Sequence, residues 1–416
     1  MQTQEIQKKQ AEDASPLRQK AMRWSMRFLY LLLFLAVFGD FIANDKPWLC
    51  RLDGAWYMPV ARELLVKAGV ARWPANLVNL DWHAQRYDLS IWPPIRYAAG
   101  TIDLKNSNYV SPVAPQQVEH WRFRHWLGAD RLGRDTAAGL VAGARTAVWV
   151  GLVAMSIAGF IGLLLGSLAG FFGDRGLTVS RAGLLGGLAG LLAGGFYGFV
   201  ARPLLWQQNA TWAVLSGCAL LAVFIIGLAW LAHNMLGRLP WWRRRATLPI
   251  DTLVMRLVEI IDAMPGLLLL LAVMAIVSRP SIGIVVVVIG LIGWLGVARF
   301  VRAELLRIRH FEYIDAARVA GLSEWRVLWR HALPNALRPV VTTLTFGAAA
   351  AILLESYLSF LGIGLPPEIV TWGGQIQAVR SNINAWWLAI FPGLAIFFTV
   401  ASLNLLGEGL LERQKQ

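Results

Sequence analysis

Residues 312–335 read EYIDAARVAGLSEWRVLWRHALPN. This charged, helix-forming stretch lies between two apolar segments, about 282–300 and 338–363, each long enough to cross a bilayer. Residues 313–320 favour a short helix, whose small Ala316, Ala317 and Ala320 would let another protein approach closely. Gly321 permits the left-handed backbone that ends a helix and turns the chain. Ser323 is then placed to cap a second helix, in which Trp325, Leu328 and Trp329 share one face. Pro334 is expected to stop that helix and feed the next span. A charged helix–turn–helix set between spans offers a docking element to a protein in the water phase. The bland alternative is an amphipathic helix lying on the membrane surface.

The composition agrees with a membrane setting. The 416 residues are 56% hydrophobic and 15% charged, with a mean hydropathy of +0.51. Several segments exceed the ~20 apolar residues needed to span the hydrocarbon core. The net charge of +14 could suggest nucleic acid, but the basic residues sit beside the spans, where they act as orientation signals. No nucleic-acid partner is therefore expected. Cys50 and Cys218 lie far apart in unlike settings, which implies neither a disulfide framework nor a metal cluster. Residues 28–43 are apolar and follow Lys8, Lys9, Arg18, Lys20, Arg23 and Arg27 without a small-residue cleavage site, so they read as an uncleaved first span.

Eight spans are expected in an all-α polytopic bundle, at about 26–42, 146–172, 183–200, 211–236, 251–277, 282–300, 338–363 and 386–406. The domain plan is a polar, mobile tail (1–25), a first span (26–43), an extracytoplasmic subdomain (44–143) and a core span (144–173). An inserted hairpin (174–250), a core region (251–410) holding the docking loop at 301–337, and a short tail (411–416) complete it. Section 44–125 is rich in Trp, Pro and Asp, and its Trp92-Pro93-Pro94 and Asn106-Ser107-Asn108 clusters argue for an ordered subdomain without long helices; a floppy linker is the alternative. Glycines 151, 159, 162, 166 and 170 recur at near-helical spacing in the second span, a pattern that lets helices approach closely. A turn is expected at Arg279-Pro280 and a loop at 364–384. Arg299, Arg302, Arg307, Arg309, Arg318, Arg326, Arg330 and Arg338 all fall on the side of the N-terminal basic cluster, as do Arg238 and Arg243–Arg245. Both termini are therefore expected in the cytoplasm.

Three further patterns carry chemistry. HWLGADRLGRD at 125–135, followed by GART at 143–146, contains His125, Gly128, Asp130, Gly133, Arg134 and Asp135. Ion pairs among Asp130, Arg134 and Asp135 would order this segment at the outer interface; direct contact with a solute is the other reading. LLESYLSFLGIG at 353–364 places Glu355 inside an apolar span. An ionisable group there costs roughly 2.5–3.5 kcal/mol on insertion scales, so Glu355 either lines a path or bonds a neighbouring helix. Arg256, Glu259 and Asp262 recur every three residues ahead of Pro265-Gly266. They either snorkel to the interface or form an inner gate with Pro265 as its hinge. The chain contains no Gly-x-x-x-x-Gly-Lys-Ser/Thr phosphate loop, and its six histidines show no metal-ligand spacing. No nucleophile–base pairing is evident either.

Glu312, Tyr313, Asp315-Ala316-Ala317, Gly321 and Leu333-Pro334 resemble the "EAA" coupling loop of bacterial ATP-binding-cassette (ABC) importer permeases, with Asp315 where that family has Glu. The 125–146 and 353–364 blocks, with Pro366-Pro367, Trp372-Gly373 and Phe391-Pro392-Gly393, resemble oligopeptide, dipeptide and nickel importer permeases of the second-permease type. That family usually has Thr where Ala129 stands and small residues near Ser356. IANDKP at 42–47 and IWPPI at 91–95 look most like the microcin C and peptide permease branch. The resemblance covers about 26–48, 120–172 and 251–410. It breaks at 174–250, because the family passes almost directly from the equivalent of GFFG (170–173) to that of DTLVMR (251–256). Two extra spans intervene here, an even number that keeps the downstream orientation, and they are expected on the lipid-facing periphery.

The resemblance implies a type I ABC importer permease with six core spans, moving peptides or peptide-like solutes, with nickel chelates or oligosaccharides as possibilities. It implies cytoplasmic ABC ATPase subunits, a second homologous permease, an extracytoplasmic solute-binding protein and the lipid bilayer as partners. ATP and magnesium would sit on the ATPase, and this chain would bind no cofactor and no metal. An ion-driven secondary transporter with Glu355 as its coupling carboxylate, or a membrane scaffold recruiting a cytoplasmic protein, are the alternatives from other classes.

Overall fold

In lipid every backbone N–H and C=O must be satisfied within its own segment, so long apolar runs fold as helices. The computed structural model describes residues 2–415 except 53, 75, 76, 79, 119, 203, 204, 206–209, 237, 238, 240, 243, 278–280, 364, 365, 367 and 368. Among the described residues seven helices are long and apolar enough to cross a membrane, and an eighth crossing exists if one bent pair counts as a single span. The expected basic residues Arg238 and Arg243, the Arg279-Pro280 turn, and Gly364 and Pro367 lie outside the described residues. The described chain forms two compact units, residues 1–152 with 345–416, and residues 153–344.

In the first unit, helix α1 (Gln2–Ile42) packs against the C-terminal helix Trp387–Lys415, with the Phe28 and Phe398 rings 6.0 Å apart. The polar tail expected to be mobile belongs to α1, whose helix begins at Gln2. Strands β1 (Leu49–Leu52), β2 (Ala55–Tyr57) and β3 (Leu89–Ile91) form an antiparallel sheet in the order β2-β1-β3. Helix α2 (Pro59–Lys67) lies beside it, and Cys50, Leu52, Leu77 and Trp82 make its buried core. This section is ordered, and its longest described helix has nine residues. Helix α3 (Thr136–Ser167) starts ten residues before the expected span, because Asp135 caps it.

In the second unit the rest of α3 ends in a π turn, Leu168–Phe172. Gly162, Gly166 and Gly170 lie against a helix at Ile282–Ile308 (α8 below), while Gly159 faces the Leu344 side chain. A Cβ on Gly162 would come within 2.6 Å of Val297 Cβ, and one on Gly166 within 2.6 Å of Ala298 O. The close approach read from their spacing is present. Strand β4 (Thr178–Ser180) pairs antiparallel with β5 (Arg245–Thr247) at the base of the insertion, while α4 (Arg181–Gly195) and α5 (Ala210–Leu236) form its hairpin.

The expected span at 251–277 is not one helix. Helix α6 (Ile250–Asp262) and helix α7 (Gly266–Ile276) meet at 78° around Ala263–Pro265. Pro265 has no N–H to continue the ladder, and the amphipathic α6 cannot follow an apolar path. Helix α8 (Ile282–Ile308) runs eight residues past its expected end. It is followed by α9 (Glu312–Val319), α10 (Glu324–Val327), a π turn Leu328–Ala332 and α11 (Leu333–Leu361). Pro334 therefore does not stop a helix. The chain stays helical through it in one run from Glu324 to Leu361, with the wide π turn Leu328–Ala332 directly ahead of the proline. The 364–384 segment, expected as loop, contains α12 (Trp372–Ala378), which Thr371 caps through Gly374 N. Helix α13 (Trp387–Lys415) ends the chain.

Candidate functional site

The 312–335 loop is held by its own unit's core. Ile314, Ala317, Val327, Leu328 and Leu333 join Phe171, Val301, Leu305 and Ile308 in one buried cluster. Burying each large aliphatic side chain contributes about 1.5–3 kcal/mol, so the loop is a rigid feature. At Gly321 φ is +80°. Gly321 N bonds Arg318 O at 2.9 Å and Leu322 N bonds Ala317 O at 3.2 Å, the double closure of a Schellman turn. Ser323 stands at the start of α10 but makes no side-chain cap bond. Arg318 ties the two helices together: it donates to Asp315 Oδ1 at 3.0 Å and to Glu324 Oε1 and Oε2 at 3.0 and 3.3 Å.

Several expected docking residues turn inward. Ala317 and Leu333 are core residues, and Leu328 is buried while Trp325 and Trp329 stay exposed. The shared face expected for those three fails because the chain widens into the π turn at Leu328. What remains exposed is Glu312, Tyr313, Asp315, Ala316, Gly321, Pro334 and Val319, the last 88% exposed. Tyr313 also accepts from Asn335 Nδ2 at 3.3 Å, which links α9 to α11. Val319, and Arg318 as the brace, were not singled out from sequence. The Asp315–Arg318 spacing of three on a helix was the available signal.

At the α6–α7 bend the three expected charges diverge. Arg256 pairs with Glu259 at 2.7 Å, and Asp262 pairs with Arg299 at 2.9 Å. Glu259, Asp262, Arg299 and Arg302 line an open cavity of about 570 Å³. Arg302 also holds Asp251 through two hydrogen bonds. Asp174 caps α6 by accepting from Thr252 N at 2.9 Å and Thr252 Oγ1 at 2.8 Å. Those two bonds hold the Asp174 carboxyl below its ordinary value.

The 125–135 segment is ordered by hydrogen bonds. His125 is 0% exposed; its Nδ1 lies 2.9 Å from Asp135 Oδ1 and its Nε2 3.3 Å from Asp103 Oδ2. Its ring stacks on Tyr97 at 4.3 Å. Burial opposes the charge, yet bonds to the two carboxylates hold the imidazole above its ordinary value. Asp103 is lowered in turn: burial raises it, and Asn106 and His125 outweigh that. Asp135 Oδ2 accepts Ala138 N at 2.7 Å. Asp130 Oδ1 accepts Leu132 N and Arg134 N at 2.8 and 2.9 Å, around Gly128 and Gly133 at φ +80°. Asp130 and Asp135 thus serve backbone amides and a histidine. A short carboxylate beside consecutive N–H groups makes such a turn directly.

Glu355 is 2% exposed. It accepts from Ser359 Oγ at 2.6 Å and Ser356 Oγ at 3.5 Å, with Thr371 as a further partner. Ser356 and Ser359 stand on Glu355's own helix α11, and Thr371 caps α12. Ser359 and Thr371, unlike Glu355, line a cavity of about 330 Å³. Among the described residues no cluster of three His, Cys, Asp or Glu could hold a metal ion.

Residues 242–416 match the protein family described as binding-protein-dependent transport system inner membrane component. The chain is 39% identical over 212 residues to a peptide transport system permease protein of Brucella suis biovar 1, covering 50% of this chain and 67% of that one. It is 27% identical to the peptidoglycan transport system permease protein YejE of Agrobacterium fabrum, over 91% of this chain and 84% of that one. It is also 27% identical to the inner membrane ABC transporter permease protein YejE of Escherichia coli K12, over 93% of this chain and 91% of that one.

Proposed function

Because the chain belongs to the family of binding-protein-dependent transport system inner membrane components, we propose that it carries peptides or peptide-like solutes inward, driven by a separate ATPase. The chain is a multi-pass, helical inner-membrane permease of the ABC kind. Its partners in this reading are two cytoplasmic ABC ATPase subunits, a second homologous permease and an extracytoplasmic solute-binding protein. ATP and magnesium sit on the ATPase; this chain has no catalytic role and binds no cofactor. Both termini face the cytoplasm, so that the 312–335 loop does too. The peptide assignment rests on the names of the relatives.

The observation that carries the coupling role is the braced helix pair α9–α10. Its inner face is part of a core, its two halves are tied by Arg318, and Tyr313, Ala316, Val319, Trp325 and Trp329 stand exposed. A soluble surface rarely spends two tryptophans in water, and apolar residues rimmed by charge mark a binding surface. Closure of the ATPases moves this rigid pair, and the α6–α7 bend at Pro265, with Arg256, Glu259 and Asp262 beside it, acts as the inner gate. Shifting a two-state bundle from 1:99 to 99:1 takes about 5.5 kcal/mol of differential binding, which nucleotide-driven closure of a docked partner supplies.

The test is recovery of partners. The tagged chain is purified from native membranes in wild-type form and as Val319→Asp, a change at a position 88% exposed that leaves the core untouched. An ATP-hydrolysing subunit that accompanies the wild type and is lost from the variant supports the reading. Equal recovery with both, or no ATPase with either, counts against it.

A further inference from the structure

The cavity of about 330 Å³ in the first unit is lined by Asp130, Arg134, Thr136 and Gln375 among its polar residues, and by Ile363 and Leu388 among its apolar ones. Thr136 Oγ1 and Gln375 Oε1, both in this lining, are buried without a hydrogen-bond partner among the described residues. Thr136 is 1% exposed. Gln375 is not loosely placed: its Nε2 donates to Thr136 O at 3.3 Å. Gly139 makes the space for that amide, since a Cβ there would collide with Gln375 Nε2.

Buried polar groups are nearly always bonded, and an orphan is costly where an apolar isostere would cost nothing. Valine in place of Thr136 would keep the shape and remove the penalty. Two such orphans in one cavity, with an acid and a base in the same lining, mark a place whose partners come from outside the chain. Its volume sits at the low end of small-molecule sites, about 300–1,000 Å³. The Gln375 carbonyl oxygen accepts only, so it calls for an N–H. The Arg134 guanidinium suits a carboxylate, and the Asp130 carboxylate suits the opposite charge.

We infer that this cavity is a binding site for a small zwitterion, its N–H toward Gln375 and Asp130 and its carboxylate toward Arg134, with Thr136 Oγ bonding between them. An amino acid and the end of a short peptide share that chemistry. The inference rests on the transport reading for the source of the ligand, and it assigns the site to this chain's own residues. Thr136 and Gln375 are specificity residues of that site, and the apolar wall at Ile363 and Leu388 takes a small side chain.

The transporter purified from native membranes, in nanodiscs without nucleotide, is titrated calorimetrically with L-alanyl-L-alanine, with L-alanine, and with the dipeptide blocked at both ends. Thr136→Val and Gln375→Leu are measured alongside, with thermal unfolding of each. The expected result is saturable binding of one or both zwitterions, loss of binding for the blocked dipeptide, and about tenfold weaker binding in Thr136→Val. The unfolding temperature of Thr136→Val is expected to equal or exceed that of the wild type. Tighter binding of alanine than of the dipeptide identifies a free amino acid as the ligand; the reverse identifies a peptide end. Absence of saturable binding, or equal affinity in wild type and Thr136→Val, overturns the site. ATP-driven dipeptide uptake, measured in parallel, separates the two claims: uptake without binding sinks the site alone, and binding without uptake sinks the transport reading alone.

Discussion

Gly321 and Arg318 together set the geometry of the 312–335 loop, one through the backbone and the other through its fork of donors. A side chain at Gly321 meets nothing within 4 Å, so a substitution there acts only through φ of +80°, at about 1–2 kcal/mol for an ordinary residue. Gly321→Val is therefore expected to open the turn and reduce ATPase recovery, while Gly321→Asn, which tolerates this conformation, retains most of it. Co-purification of the two variants checks this. Glu355 is satisfied by hydroxyls, and Gln offers the same acceptor oxygen, so Glu355→Gln is expected to leave solute uptake nearly unchanged; abolished uptake would make its charge essential. His125 gives a pH dependence. Its folded value is raised by Asp135 and Asp103, so the stability it contributes is complete below about pH 6.5 and fades as pH rises through the raised value. Thermal unfolding against pH should show that decline in wild type and lose it in His125→Gln. The motif residues themselves were legible, because Gly321, Asp135 and Glu355 each break a local pattern. Which way Ala317 and Leu333 face was not, since a helix of two turns has more than one face that could serve as its inner side.

Among the elements, the insertion is closed at its base. Leu248 N donates to Leu177 O at 2.9 Å, β4 pairs with β5, and Asp174 caps α6 across the gap. Glycines of α4 face the backbone of α5: a Cβ on Gly194 would lie 2.8 Å from Leu221 Cα. In the apolar stretch Ser216–Leu236 Gly217 alone is buried, and residues 174–250 line neither of the two cavities. The peripheral placement of the hairpin remains a proposal, and it has a direct test. Replacing residues 178–247 with Asn-Gly would use the Leu177–Leu248 bond to close a two-residue turn. The shortened chain is expected to insert, to retain its ATPase and to support uptake; loss of uptake in a well-folded shortened chain would place the hairpin in the transport machinery. Helix positions were readable because a run of apolar residues has one solution in lipid. Pro265 marked the place of a bend, but its 78° angle and the π turn at Leu328–Ala332 were not readable, because they depend on where neighbouring side chains find partners.

For the whole molecule, what matters is the source of energy. In the proposed account, the apolar chain, whose sequence contains no phosphate loop, draws work from a partner docked on its braced loop of exposed aromatics. An ion-driven carrier would draw it from the gradient through a carboxylate such as Glu355. The decisive measurement is uptake of a radiolabelled dipeptide into vesicles holding the purified transporter and its binding protein, with ATP inside the compartment that faces the 312–335 loop, and with ionophores present to collapse every ion gradient. The account predicts ATP-dependent uptake that survives the ionophores and is lost in Val319→Asp. Uptake that needs no ATP and vanishes with the ionophores would contradict it.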